Sequence, residues 1–216
     1  MTLRTGFDRM DRKLDLKKEY RELYNPPGKD PVVIDVPPLK YLMIDGINAE
    51  PESEAFQNAI QALFSVSFKT KFISKKKPGT DYVVMPLEGL WWADDMNDFT
   101  AGKKETWRWT MMILQPGFVT TGMMEDAIDA SGGKAPAESL DKLRLEELHE
   151  GLSAQVMHIG PYSEEHGNIM KIHELIHSKG GSFEGKIQKH HEIYLSDFRK
   201  TPPERLKTVL RQPFSR

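Results

Sequence analysis

The most informative stretch lies near the C-terminus, at residues 190–197, where polar and apolar residues alternate in the order HHEIYLSD. This alternation predicts a β-strand, whose successive side chains point to opposite faces of a sheet. His190, Glu192 and Tyr194 then share one face, and the aliphatic residues between them share the core face. A carboxylate between a histidine and a tyrosine suits a pocket floor, where it can activate water or attract a cation. The alternative is a strand with one solvated face.

All four tryptophans of the chain lie between positions 91 and 109, on two predicted strands. Trp107 and Trp109 share a face by period two, whereas Trp91 and Trp92 oppose each other, so each strand can direct an indole to the same side. Four tryptophans in so short a segment exceed what a core needs. They favour an aromatic-lined cavity for a flat or cationic ligand. Cross-strand aromatic pairing with a structural role is the alternative.

Two further residues could line such a cavity. Glu88 is a second candidate carboxylate, although a glutamate that flanks a turn is commonly solvated. Phe64 lies on a helix predicted over residues 53–72, where aromatic and aliphatic residues recur at helical spacing. This phenylalanine belongs either to the wall of the pocket or to the core.

A second motif, His173-Glu174-Leu175-Ile176-His177, matches the zinc-protease pattern H-E-x-x-H on a predicted helix. Histidines four positions apart share a helical face, as zinc binding requires. The apolar residues of this helix form the stripe that packs on the sheet, and the histidines lie at its margin. We therefore expect the histidines to face solvent on the side of the sheet opposite the tryptophans. A zinc protease is a remote alternative, and no metal site is predicted.

Composition excludes several classes of protein. The 216 residues include 30 basic and 32 acidic side chains, without the clustered basic excess of a nucleic-acid-binding protein. The absence of cysteine excludes disulfides and thiol catalysis. No apolar run is long enough to span a membrane, and the first residues do not read as a signal peptide. We expect a cytoplasmic protein, a monomer or homodimer, with no nucleic-acid or membrane partner and no cofactor.

The order of elements indicates an internal duplication. A helical extension over residues 1–36 precedes a domain at 37–216, in which strand–helix–strand–strand occurs twice. The first module covers about 37–116, a connecting helix about 120–150, and the second module about 151–216. This order predicts an α+β fold with one antiparallel sheet, helices on one face and a concave ligand groove on the other.

Several motifs resemble those of GyrI-like small-molecule-binding proteins, in matching order across nearly the whole chain. The resemblance implies the duplicated fold and a buried glutamate that meets cationic aromatic drugs in multidrug-sensing relatives; Glu192 occupies that position. The segment PLEGLW and the helical extension resemble a subfamily that hydrolyses cyclopropanoid DNA-alkylating natural products with an aromatic cage. The motifs lie at residues 15–24, 36–38, 41–46, 86–91, 115–116 and 191–197.

The resulting hypothesis is a cyclopropanoid cyclopropyl hydrolase that confers resistance to aromatic xenobiotics. Glu192 and Tyr194 are its predicted catalytic residues. A non-catalytic module that binds or sequesters drugs uses the same pocket and is the alternative. The predicted ligand-binding residues are Trp91, Trp109, Tyr162, His190, Phe64 and Glu88.

Overall fold

One antiparallel sheet organises the chain. The computed structural model describes residues 13–50, 52–77 and 80–216, so the first part of the predicted extension, residues 1–12, lies outside the described residues. The sheet has eight strands in the order β1-β6-β8-β7-β3-β4-β2-β5. The strands are β1 Val32–Val36, β2 Leu39–Ile47, β3 Glu88–Ala93, β4 Trp107–Leu114, β5 Arg144–Leu148, β6 Gly151–Ile159, β7 His190–Tyr194 and β8 Lys207–Pro213.

Seven α-helices lie among the described residues. Three short 3₁₀ helices occur at Lys104–Thr106, Tyr162–Glu164 and Pro203–Arg205. The α-helices are α1 Leu16–Glu19, α2 Arg21–Tyr24, α3 Glu54–Ser74, α4 Met96–Thr100, α5 Thr121–Asp129, α6 Ala137–Asp141 and α7 His166–Ser178. None of these helices is both long and apolar enough to cross a lipid bilayer.

The sheet is built from two equivalent halves. One half follows the chain order β2-α3-β3-β4 and the other β6-α7-β7-β8. They join where β3 pairs with β7, with Gly89 opposite Glu192 and Trp91 opposite His190. The α+β class, the duplication and the antiparallel sheet are therefore confirmed. Strand β7, which contains Glu192 and Tyr194, therefore lies at the junction of the two halves.

Both long helices cover the same face of the sheet. Helix α3 packs on β2 and β4, and α7 packs on β6 and β8. Ile172 and Ile176 of α7 contact Leu210 in a core cluster. Leu210 pairs directly with Glu192, and directly paired residues share a face. The structure thus differs from the expectation in one detail, because Glu192 lies on the face that carries α3 and α7. The predicted groove therefore belongs to the helix-bearing face, beside Glu192.

The segment 120–150 is not one connecting helix. It contains α5, α6 and then the strand β5, which pairs antiparallel with β2 at the edge of the sheet. The sequence of β5, RLEEL, is short and charged, as is common for a strand at the edge of a sheet. The first of the two strands that carry the tryptophans is β3, and the loop that follows it contains α4.

The opposite face of the sheet is covered by the segment that contains α1 and α2. The Asp15 side chain caps α1 by accepting a hydrogen bond from the Lys17 amide. Leu23 and Tyr24 are buried against the sheet. This segment therefore closes the back of the sheet and leaves the helix-bearing face for the groove.

Candidate functional site

A chain of hydrogen bonds links three of the predicted site residues. The Trp91 indole nitrogen donates to the Tyr194 hydroxyl at 3.0 Å. That hydroxyl donates in turn to Oε2 of Glu192 at 2.7 Å. Burial and the neighbouring charge of Glu192 raise the pKa of Tyr194 well above its ordinary value, so the phenol remains a donor. The register β4–β3–β7 produces this arrangement, since Trp91 and Tyr194 project from one face of paired strands.

His190 lies on the other side of the same carboxylate. Its Nε2 is 3.4 Å from Oε1 of Glu192, but the N–H is not aligned for a hydrogen bond. The imidazole is almost fully buried and faces the ring of Phe99 at a centroid distance of 6.5 Å. His190 therefore adjoins both the carboxylate and the aromatic wall.

A second carboxyl group, which was not predicted from the sequence, lies close enough to Glu192 to interact with it electrostatically. Glu165 precedes α7 and is only 5 % exposed. Burial and the negative charge of Glu192 raise the pKa of Glu165 to about 9, while the nearby Thr208 hydroxyl acts in the opposite direction. At neutral pH Glu165 is therefore protonated. A carboxyl that keeps its proton at this pH can serve as a general acid.

Unsatisfied polar atoms converge on this site. Oε1 of Glu165, Nε2 of His190 and Oγ1 of Thr208 are buried without a hydrogen-bond partner among the described residues. Thr208 pairs directly with Tyr194 and therefore lies on the same face. A buried polar atom without a partner costs about 1–3 kcal/mol. The concentration of such atoms around Glu192 indicates a place where a ligand or water supplies the missing hydrogen bonds.

Aromatic rings line the groove on either side of Glu192. Tyr162 meets Tyr194 edge-on at 5.9 Å, and its own ring is 39 % exposed. On the other side, Trp107 meets Trp91 edge-on at 6.2 Å. Phe99 of α4 stacks on Trp107 at 4.3 Å with an interplanar angle of 25°. The wall therefore offers ring faces and edges to a flat ligand.

Trp109 and Phe64 lie farther from the centre of the site. Trp109 is 1 % exposed, donates from its indole nitrogen to the Asn48 carbonyl at 3.2 Å, and packs edge-on against Phe56 at 5.4 Å. Phe64 stacks with Phe68 along α3 and packs on the main core cluster. Trp109 thus supports the wall from behind. The α3 residue that contacts Trp91 is Phe56, at 6.0 Å, rather than Phe64.

Glu88, predicted to line the pocket, lies on the opposite face of the sheet. It pairs with Ile193, whose side chain is on the face covered by α1 and α2, and it is fully buried. Its carboxylate accepts a hydrogen bond from the Tyr24 hydroxyl at 2.6 Å and lies 3.0 Å from Nε2 of His191. Glu88 is therefore a member of a buried polar network behind the groove and does not line it.

The same network includes a second carboxylate and a buried arginine. Glu150 lies 2.9 Å from Nδ1 of His191 and accepts a hydrogen bond from Arg211 at 2.8 Å. Burial favours the neutral form of Glu150, but His191 and Arg211 outweigh it and hold the pKa at about 2. Arg211 also donates to the Leu23 carbonyl at 3.1 Å. The network joins the N-terminal segment to the central strands that carry the groove.

The H-E-x-x-H motif lies on α7, on the groove side of the sheet and not on the opposite side as expected. His173 packs against Phe183 at 4.7 Å. Burial, followed by the neighbouring His190, His177 and His166, lowers the pKa of His173 to about 4. Among residues 13–50, 52–77 and 80–216, no group of three or more histidine or acidic side chains could hold a metal ion.

The structure adds Glu165, Phe56, Phe99 and Trp107 to the candidate site residues. Trp107 shares the period-two face with Trp109 and could have been included on that signal. Glu165 gives no local signal, because a glutamate at the start of a helix is common for reasons of helix polarity. Only the packing of α7 against β6 and β8 brings it near Glu192.

Comparisons with known proteins bear on the family and the fold of the chain. An uncharacterized conserved protein from Listeria innocua is 38% identical, with 94% of this chain and 100% of that chain covered and a TM-score of 0.83. A protein from the same organism described as a hydrolase is 37% identical over the same shares, with a TM-score of 0.81. The C-terminal domain of EcmrR, at 11% identity, coverage of 87% and 98%, and a TM-score of 0.53, shares the fold alone.

No curated protein gives a significant match to this chain. The profile of the GyrI-like small molecule binding domain, however, matches residues 29–214, which include both halves of the sheet and every residue of the groove. The chain belongs to the GyrI-like family of small-molecule-binding domains.

Proposed function

We propose that the groove binds flat aromatic or cationic xenobiotics and hydrolyses cyclopropanoid DNA-alkylating compounds by ring opening with water. The observation that carries this proposal is the proximity of two carboxyls, Glu192 and Glu165, beside an aromatic wall, with the pKa of Glu165 raised to about 9. The relatives from Listeria innocua that are described as hydrolases support a hydrolytic reaction at about this level of similarity.

The aromatic wall positions the substrate. A flat ring system that stacks along Trp91 and Trp107 lies beside Glu192, because Trp91 is tied to Glu192 through the Tyr194 hydroxyl. Stacking fixes the orientation of the strained ring relative to the carboxylates, and holding reactants in place lowers the entropic part of the barrier. Tyr162, at the outer edge of the groove, covers the opposite end of the substrate.

The chemistry requires one base and one acid. Glu192 accepts a proton from water as the water oxygen bonds to the cyclopropane carbon. The carbon–carbon bond of the ring breaks, and its electron pair moves through the conjugated system to the carbonyl oxygen. Glu165 gives its proton to that oxygen, so the product is the substrate plus one water and carries a hydroxyl group in place of the carbonyl. Proton exchange with solvent then restores both carboxyls.

The second candidate is a binding module that sequesters the drug without chemistry. The unsatisfied polar atoms and the aromatic wall serve binding equally well, and family membership supports binding directly. The two candidates differ in stoichiometry: an enzyme releases product and continues, whereas a sequestering protein is saturated by one ligand per chain.

Replacement of Glu192 by Gln separates the two. The amide retains the size of the side chain and a hydrogen-bond acceptor for Tyr194, so ligand binding should persist while turnover falls by about 100-fold or more. Glu164→Gln is the matched control, since Glu164 is the exposed neighbour of the proposed acid. An unchanged rate in Glu192→Gln would remove Glu192 from the mechanism. Stoichiometric binding without product in the wild-type protein would favour sequestration.

A further inference from the structure

One contact in the groove differs in geometry from its neighbours. Trp91 and Trp107, and likewise Tyr162 and Tyr194, meet edge-on. Phe99, in contrast, lies nearly parallel to Trp107 at a centroid distance of 4.3 Å. This is the arrangement in which a flat ring system would itself stack on an indole. The phenyl ring of Phe99 therefore covers the ring face of Trp107 that a flat ligand would use.

The position of Phe99 in the chain allows it to move independently of the wall. Trp107 begins β4 and is fixed by the ladder with β3. Phe99 belongs to α4, a helix of five residues in the loop between those strands. The loop returns to the sheet through Gly102, whose φ of 70° lies in the left-handed region. Phe99 therefore belongs to the loop between β3 and β4, whereas Trp107 is part of the sheet.

The local contacts of α4 hold Phe99 on Trp107. The Trp107 indole nitrogen donates to the Asp98 carbonyl at 3.4 Å, a long hydrogen bond. Lys103 pairs with the Asp98 side chain at 2.6 Å on the outside of the loop, where ion pairs contribute little. The stack on Trp107 is the closest ring contact of Phe99, which also meets His190 at 6.5 Å and packs on the main core cluster. Displacing Phe99 therefore breaks that stack.

We propose that Phe99 is a specificity-determining residue of the groove, which acts as an internal competitor for flat ligands at the Trp107 ring face. This inference rests on the ligand-binding part of the proposed function. A flat ligand must replace the Phe99 stack with a better one of its own. Small aromatic compounds gain little from the exchange, whereas extended planar ring systems gain more, so Phe99 sets a lower limit on the size of the planar system that binds well. Ligands that do not stack on Trp107 do not meet this competitor.

The test compares two cations on the full chain by isothermal titration calorimetry. Ethidium is flat, and methyltriphenylphosphonium is not. Phe99→Ala should bind ethidium about three- to tenfold more tightly than the wild type, the range expected for one aromatic stack. Its affinity for the phosphonium should stay within about twofold. Phe99→Leu, which retains apolar bulk without a ring, should shift ethidium binding in the same direction.

The control variant is Phe68→Ala, which removes an exposed phenylalanine outside the groove and should leave both affinities unchanged. Weaker ethidium binding by Phe99→Ala and Phe99→Leu would show that Phe99 is a contact for the ligand and would overturn the proposal. Unchanged ethidium binding would overturn it as well. Failure of the wild-type protein to bind either cation would instead contradict the proposed function.

Discussion

Tyr194 donates its hydroxyl proton to Oε2 of Glu192 at 2.7 Å, although the two residues are neighbours on one face of the same strand. The hydroxyl can reach this carboxylate because Trp91, on the paired strand, donates to the phenol oxygen and holds it in place. One side of the groove is thereby a single unit, in which the aromatic wall and the proposed base are joined by hydrogen bonds.

Removal of the Tyr194 hydroxyl should lower turnover with little effect on binding. In Tyr194→Phe the ring remains, but Glu192 loses its donor and the Trp91 indole loses its acceptor. We expect kcat to fall by about tenfold, consistent with the loss of one charge-assisted hydrogen bond, and the Kd of the ligand to change by less than about threefold. Tyr162→Phe retains the edge contact between the rings and is the control. Equal kcat in the wild type and Tyr194→Phe would argue against this coupling.

The rate of hydrolysis should depend on a group that titrates near pH 9. Proton donation requires protonated Glu165, whose pKa is raised to about 9 by burial and by Glu192. The value of kcat should therefore fall as the pH rises through about 9. In Glu165→Gln this alkaline limb should disappear along with most of the activity. A wild-type rate that stays constant between pH 7 and 10 would mean that Glu165 is not the proton donor.

The pH dependence of folding stability should reveal the raised pKa of Glu165 in the absence of substrate. Folded Glu165 keeps its proton to about pH 9, whereas its ordinary pKa is 4.5. The folded state therefore binds the extra proton between these values, and the free energy of unfolding falls as the pH rises across that window.

Glu165→Gln removes this penalty. Its melting temperature relative to the wild type should rise between pH 5 and pH 8, while Glu164→Gln shows no such trend. A difference between Glu165→Gln and the wild type that does not vary with pH would mean that Glu165 releases its proton normally.

The buried network behind the groove should be essential for stability. Arg211 is 1 % exposed and pairs with Glu150 at 2.8 Å. Arg211→Met leaves Glu150 buried with only His191 to balance it, so the free energy of unfolding should fall by about 3–5 kcal/mol. Chemical denaturation would measure this loss. Arg205→Met, at an exposed position, should change the free energy of unfolding by less than about 0.5 kcal/mol. Comparable stabilities in the two variants would contradict this role of the network.

Gly46 permits the inward position of Trp109. A Cβ at residue 46 would lie 2.1 Å from Cζ2 of Trp109, closer than any real contact. Gly46→Ala should displace the indole, lower the free energy of unfolding by about 1–3 kcal/mol and alter the tryptophan emission. Gly117→Ala is a suitable control, because a Cβ there has no neighbour within 4 Å. Normal emission and stability in Gly46→Ala would mean that Trp109 does not pack as described.

The strand pattern correctly predicted which residues of β7 share a face. Alternation in residues 190–197 was sufficient to place Glu192, Tyr194 and His190 on one face, because period two is a property of the backbone. The alternation does not show which face of the sheet the helices cover. Each strand has apolar residues on both faces, so periodicity alone does not show which face packs against α3 and α7.

Residues that depend on tertiary packing were harder to predict. Glu88 resembled a solvated or pocket-lining carboxylate, and only the pairing of β3 with β7 shows that it points to the back of the sheet beside His191. In sequence, Glu165 is an ordinary residue at the start of a helix, and only the tertiary fold brings it near Glu192. The strand β5 was missed because its charged sequence lacks the apolar alternation of an inner strand. In each case a contact distant in sequence decides the role.

The most direct test of the account is turnover of a cyclopropanoid alkylator in water enriched in ¹⁸O, with the protein at one-hundredth of the substrate concentration. Mass analysis should show many equivalents of product per chain, each with one added water and one ¹⁸O atom, and Glu192→Gln should form almost none. Ligand bound at one equivalent per chain, with no ¹⁸O-containing product beyond the uncatalysed background, would contradict hydrolysis and leave a drug-binding protein.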